Sequence, residues 1–270
     1  VTSAWSVSAH RLYQCPRAWW LTHRAHVEQQ QDAVNNRGVM CHAGLAAGYA
    51  FLDQHGRDPR KMTPGAVRRG LFEAVSDAVT EVAQGAHANS WDADEAFEAV
   101  IGALRHLGPQ ARDVVLGVEL PMLITVDGVE ITCRADVVYR RDGVTVVRDW
   151  KSSSELPRAF ELPGDRQLAV GALCAARTFD TTRVAVEIAS INARVAVTSV
   201  IATARALAGA RAVAASAWAA QFDQGFLPRP GERCASCKVR ASCPVFAPNG
   251  RVIPTPGPDG RSVATGVILL

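Results

Sequence analysis

Apolar residues recur at helical spacing as far as Leu107 and then switch to strand-like alternation beginning at Val114. The N-terminal part predicts helices over residues 8–24, 38–54, 64–84 and 92–107. Ser8 is a candidate cap for the first of these, and Pro16 should kink or break it. In the fourth, Phe97, Val100, Ile101, Leu104 and Leu107 share a face, and Asp92, Asp94, Glu95 and Glu98 read as a solvated, dipole-matched first turn. Residues 114–126, 130–140 and 144–151 are rich in Val, Ile and Thr and are joined by Asp127-Gly128 and Asp142-Gly143, a meander of antiparallel strands. A helix over 165–179, strands over 183–191 and 193–200 with a turn near Ile191-Asn192, and an alanine-rich helix over 202–222 follow. The Pro/Gly-rich stretch within 248–270 reads as a poorly ordered tail.

That order describes an α/β (mixed α+β) fold with a helical N-terminal layer. With 270 residues, 48% hydrophobic and 20% charged, the chain can bury a substantial core in water. No apolar run is long enough to span a bilayer: Arg205 and Arg211 interrupt the most alanine-rich stretch. The first residues do not read as a signal peptide, so a cytoplasmic location is expected. A net charge of +3 does not single out nucleic acid. Arg229, Arg233, Lys238 and Arg240 form a local basic cluster, either a solvated face or a phosphate-contacting surface.

Candidate chemistry sits in the meander. Alternation places Arg134, Asp136 and Val138 on one face of one strand, and Thr145, Val147, Asp149 and Lys151 on one face of the next. Carboxylates on an apolar sheet are costly unless something uses them. A divalent cation bound by Asp136, Asp149 and the main-chain carbonyl of Trp150 would do so. Lys151 would orient or deprotonate an attacking water and offset charge on a phosphate. The plain alternative is an Asp–Lys ion pair at strand ends.

Four of the seven cysteines form a second pattern. Cys234-x-x-Cys237, Cys243-Pro244 and the distant Cys15-Pro16 offer a thiolate-rich hook that suits zinc or an iron–sulfur cluster. Cys41, Cys133 and Cys174 lie in apolar segments and read as small buried hydrophobes.

In order along the chain stand Gly38-x-x-x-His42, Glu119 in Val-Glu-Leu-Pro, Asp136, Asp149-Trp150-Lys151 and Arg166-Gln167-Leu168. This set resembles the RecB-type branch of the PD-(D/E)xK nuclease superfamily, including the CRISPR-associated iron–sulfur exonucleases, over residues 6–245. The resemblance implies a restriction-endonuclease-like core, a central mixed sheet flanked by helices, with a cysteine cluster region at the C-terminal end. It implies one nuclease domain over residues 1–247, with both ends joined in an iron–sulfur clasp. Asp136, Asp149 and Lys151 match the family's metal-binding and (D/E)xK positions, His42 a helix-borne metal ligand and Glu119 a strand acid. Gln167 matches the glutamine of a Gln-x-x-x-Tyr motif, but Gly171 stands where the tyrosine belongs. Cys15, Cys234, Cys237 and Cys243 match the four ligands of a [4Fe–4S] cluster, with Zn²⁺ as the alternative. The implied activity is an Mg²⁺- or Mn²⁺-dependent deoxyribonuclease, an exonuclease on single-stranded DNA or duplex ends. The alternative is a non-catalytic DNA-binding or scaffold subunit of a DNA repair complex. The chain has no phosphate-binding Gly-rich loop with lysine, so a helicase partner would be another chain.

Overall fold

A computed structural model describes residues 4–27, 33–55, 66–85, 90–110, 112–223, 225–246, 255–256 and 262–263. Strand β1 (Trp5–Ser6) leads into helices α1 (Val7–Tyr13) and α2 (Pro16–His23). The cap of α1 is Ser6 rather than the expected Ser8: Ser6 is extended, and its Oγ accepts from the Ala9 N–H at 3.1 Å. At Pro16 the helix breaks outright. Proline lacks an N–H and clashes with the preceding turn, but its fixed φ suits the first position of α2. Helices α3 (Ala33–His55), α4 (Ala66–Gly85) and α5 (Ser90–Leu107) follow; Pro64, the expected start of the second of these, lies outside the described residues.

Strands β2 (Val114–Val126), β3 (Val129–Arg141) and β4 (Val144–Lys151) agree closely with the sequence pattern. Both connecting pairs, Asp127-Gly128 and Asp142-Gly143, have positive φ, the conformation that two-residue hairpins need. Helix α6 (Arg166–Thr178) is capped by Asp165, whose carboxylate accepts from the Gln167 and Leu168 N–H groups. Then come β5 (Val184–Ser190), β6 (Ala196–Val200) and α7 (Thr203–Phe222). Strand β6 starts three residues later than expected because the turn holds Ser190 N–H to the Val195 carbonyl, with Arg194 at φ 57°.

The chain forms two compact units. The first comprises Val1–Gln31, Thr125–Ile131 and Arg211–Leu270. Its interior is aromatic: Trp19 stacks on Trp5 and Phe226 and meets Tyr13 edge-on. Tyr13 donates to Asp223 at 2.9 Å, and His10 Nδ1 lies 2.7 Å from Ser216 Oγ. These contacts hold the N-terminal helices against the C-terminal segment.

The second unit comprises Asp32–Ile124 and Thr132–Ala210 and holds β4, β5, β6 and most of β2 and β3, in the order β3-β4-β5-β6 with β2 also pairing β3. Pairing is antiparallel for β3–β4 and β5–β6 and parallel for β4–β5, so the sheet is mixed. Helices α3, α4 and α5 bury Met40, Leu45, Leu52, Val75, Val100 and Leu104 in one core with Val137, Tyr139, Val146 and Trp150 of the sheet. Helix α6 packs on β4 and β5. Strand β4 is therefore covered on both faces, and every residue from Thr145 to Trp150 is buried.

No helix among the described residues is long and apolar enough to cross a membrane. Most of the tail expected over 248–270 lies outside the described residues; Thr255–Pro256 and Ser262–Val263 pair as β7 and β8.

Candidate metal centre

The second unit brings together the side chains proposed from sequence for the acidic site. The β3–β4 ladder ends at Val137 opposite Arg148. Just beyond it, the Trp150 N–H donates to the Asp136 carboxylate at 2.6 Å. A side chain thus takes over where the backbone ladder stops, fixing Asp136 beside β4. Asp149 is held from two directions: Lys151 Nζ lies 2.6 Å from its Oδ2, and Gln167 donates to its Oδ1 at 2.7 Å. Gln167 sits in the first turn of α6, oriented by the Asp165 cap.

His42 reaches the same place from α3. Its Nδ1 is 3.5 Å from Asp136 and 3.7 Å from Glu119, ion-pair distances longer than a good hydrogen bond. Among the described residues, His42, Glu119 and Asp136 are the group of three whose ligand atoms all fall within 4.8 Å of one another. Asp149 stands just outside that group, already engaged by Lys151 and Gln167. Trp150, whose carbonyl was the fourth candidate, is buried, and its N–H serves Asp136.

Glu119 arrives by an unusual backbone. It has φ of 46° within β2, a left-handed conformation that costs a non-glycine residue on the order of 1 kcal/mol or more. Arg134 then holds the carboxylate through a 3.1 Å contact from its Nε.

Electrostatics set the carboxylates of the cluster against one another. Burial pushes the Asp136 pKa up to about 6; Asp149 and Glu119 push the same way, while His42 and the Trp150 N–H pull it down. For His42, burial disfavours the imidazolium, but Glu119, Asp136 and Asp149 outweigh it and the pKa is raised. Three carboxylates crowd together with one lysine and one arginine, an arrangement that a divalent cation would relieve.

Gly171 now has a physical reason. It is buried against β4: a Cβ there would lie 3.3 Å from Val147 Cγ1 and 3.7 Å from Cys133 Sγ. A tyrosine ring at this position would have to displace the sheet, yet Gln167 holds Asp149 without it.

Sequence reasoning missed the opposite face of β4. There Arg148 is buried, paired with Glu187, bonded to Tyr49 at 2.8 Å and lying over the Tyr139 and Trp150 rings. Tyr139 and Thr198 also donate to Glu187. The available signals were Arg148 in an apolar run, Glu187 as the lone acid of β5, and Tyr49 seven residues after His42, on the same side of α3.

The four patterned cysteines lie in the first unit and line one cavity. Its other walls are largely apolar, among them Ala18, Leu21, Val239, Val245 and Phe246. The Arg229 N–H points at Cys15 Sγ and the Gly231 N–H at Cys234 Sγ, both at 3.4 Å. Four sulfurs lining one cavity in largely apolar surroundings, two of them facing backbone N–H groups, are a donor set fit for a thiolate-held metal group. Of the basic residues nearby, Arg240 lies over the Phe246 ring.

No curated protein matches the chain. Among solved structures it is similar to one described as "Crystal structure of SSO0001", at 14% identity and a TM-score of 0.33, covering 89% of this chain and 97% of that one. That likeness is too loose to bear on the fold. The family comparison is decisive, because its match takes in every side chain of the acidic cluster and all four patterned cysteines. Over residues 4–244 the chain matches the PD-(D/E)XK nuclease superfamily, and it belongs to that superfamily.

Proposed function

We propose that this nuclease is a divalent-metal-dependent deoxyribonuclease working as an exonuclease on single strands or duplex ends. The observation that carries the reading is the convergence of His42, Glu119 and Asp136 beside an Asp149–Lys151 pair. When bound by His42, Asp136, Asp149 and the Trp150 carbonyl, Mg²⁺ or Mn²⁺ supplies Lewis-acid polarisation of a water and a phosphate oxygen. Glu119 completes the acidic wall on the His42 side. Gln167 keeps Asp149 from rotating, and Arg134 does the same for Glu119. Lys151, 43% exposed at the rim, orients the water for in-line attack on phosphorus and offsets charge gathering on the phosphate oxygens. DNA is the substrate, and any helicase or repair subunit acts as a separate chain.

In the same reading, Cys15, Cys234, Cys237 and Cys243 hold a [4Fe–4S] cluster, with Zn²⁺ as the alternative occupant. Ligation would join positions more than two hundred residues apart and so restrict the unfolded chain. Cys237→Ala is expected to bleach visible absorbance and lower the melting temperature; an unaltered melting temperature would contradict the clasp.

The nuclease test is digestion of end-labelled DNA with Mn²⁺ or Mg²⁺ by wild type, Asp149→Ala and Lys151→Ala. We expect each substitution to lower the rate by about a hundredfold or more. Equal rates in all three would assign the activity to a contaminant. Salt-dependent DNA binding without cleavage in any metal would favour the scaffold alternative.

A further inference from the structure

Cys133 and Cys174 were expected to be inert hydrophobes, but the fold sets them against each other. Cys133 lies on β3 and is half-buried; Cys174 lies on α6 and is fully buried. The two thiols perturb each other, Cys174 lowering the pKa of Cys133 and Cys133 raising that of Cys174. Independently, a Cβ at Gly171, one turn before Cys174 on α6, would sit 3.7 Å from Cys133 Sγ, so this face of α6 rests on Cys133. Disulfides need close Cβ approach and no intervening side chain, and Gly171 leaves that space clear. We propose that Cys133 and Cys174 are an oxidative modification site: a reversible disulfide, formed by exchange with a low-molecular-weight disulfide, that ties α6 to β3.

The chemistry balances. The Cys133 thiolate attacks one sulfur of the reagent; a new S–S bond forms, the reagent's S–S bond breaks, and one reagent thiolate leaves. Cys174 attacks Cys133 Sγ and expels the second reagent thiolate, which takes up the Cys174 proton and leaves as a thiol. The protein dithiol loses two electrons and the reagent gains them. Cys133 suits the first role because it is the more exposed of the two. The neighbouring Cys174 side chain also holds its pKa down against the effect of burial.

The consequence follows from the helix. Gln167 and Cys174 are two turns apart on the same side of α6. Closing the sulfurs to about 2.05 Å draws α6 toward β3. The contact at risk is Gln167 to Asp149, 2.7 Å long. This consequence rests on the metal-site reading above; disulfide formation itself does not.

The test uses full-length protein with its cysteine cavity loaded, kept anaerobic and treated with hydroxyethyl disulfide, then reversed with dithiothreitol. Peptide mapping should recover Cys133 linked to Cys174. Mn²⁺ affinity, followed by the paramagnetic resonance of free Mn²⁺, should fall about tenfold and return on reduction. Cys133→Ser and Cys174→Ser, with Cys174→Ala as a second choice if the serine variant does not fold, should bind Mn²⁺ normally and ignore the reagent. A stable mixed disulfide at Cys133 without the cross-link would overturn the pair. A cross-link with unchanged Mn²⁺ affinity would overturn the coupling through α6. If reduced wild type itself fails to bind Mn²⁺, the metal-centre reading fails, while the linked peptide still decides the dithiol.

Discussion

Arg148 and Asp149 are neighbours on β4, point to opposite faces, and are both buried, yet their surroundings differ in kind. On the α3 side, Arg148 meets Glu187, Tyr49, Tyr139 and the Leu107 carbonyl, so that its charge is answered within the protein. Burial alone would lower the pKa of the guanidinium, but Tyr49, Glu187 and Tyr139 outweigh that effect and raise it. On the other face, three carboxylates crowd one another and Asp136 is driven toward its neutral form. A closed charge network of the first kind positions secondary structure; an open one of the second kind offers ligands to a cation. A buried charge alone therefore says little about function, and whether its partners balance it says much more.

That contrast can be broken most severely at Arg148. Arg148→Met strands Glu187 in the core and should cost about 3–5 kcal/mol, read as a lower denaturation midpoint at constant slope. Neutralising the open cluster should have the opposite sign. Asp136→Asn keeps an acceptor for the Trp150 N–H while removing one of the crowded charges, and should stabilise the metal-free protein by about 1–2 kcal/mol. The same variant should lose Mn²⁺-induced stabilisation and DNA cleavage. If Asp136→Asn destabilised the apo protein as Arg148→Met does, the two clusters would not differ in the way described.

A pH series sharpens the comparison without mutation. Asp136 and His42 both have raised folded-state pKa values, so their contributions to stability are present at low pH and are lost as pH rises through those values. Metal-free protein should accordingly lose part of its stability as pH climbs through about 6. Mn²⁺ should raise the melting temperature more at pH 7.5 than at pH 5.5, where protons compete for Asp136. An equal metal effect at both pH values would count against Asp136 as a ligand.

The smallest effect is expected where the two networks meet along α3. Tyr49 fixes the helix to Arg148, and His42 lies two turns earlier on the same side. Tyr49→Phe should cost about 1 kcal/mol of stability. It should weaken Mn²⁺ binding less than His42→Ala does, as titration of both variants would show.

Periodicity and turn chemistry determined the helices, the hairpins closed by Asp127-Gly128 and Asp142-Gly143, and the shared face of Asp149 and Lys151. These are local properties: a strand's alternation and a turn's positive φ depend on residues within reach of one another along the chain. The ordered motifs likewise marked His42, Glu119, Asp136, Asp149, Lys151 and Gln167 as one set. Only the tertiary structure decided that Glu119 swings into the centre on a left-handed backbone and that Arg134 pins it. It also decided that Gly171 is glycine for want of space, that Arg148 and Glu187 answer each other across the sheet, and that Cys133 faces Cys174. Each of these depends on which elements pack together, and sequence spacing does not encode the distance between residues on separate elements.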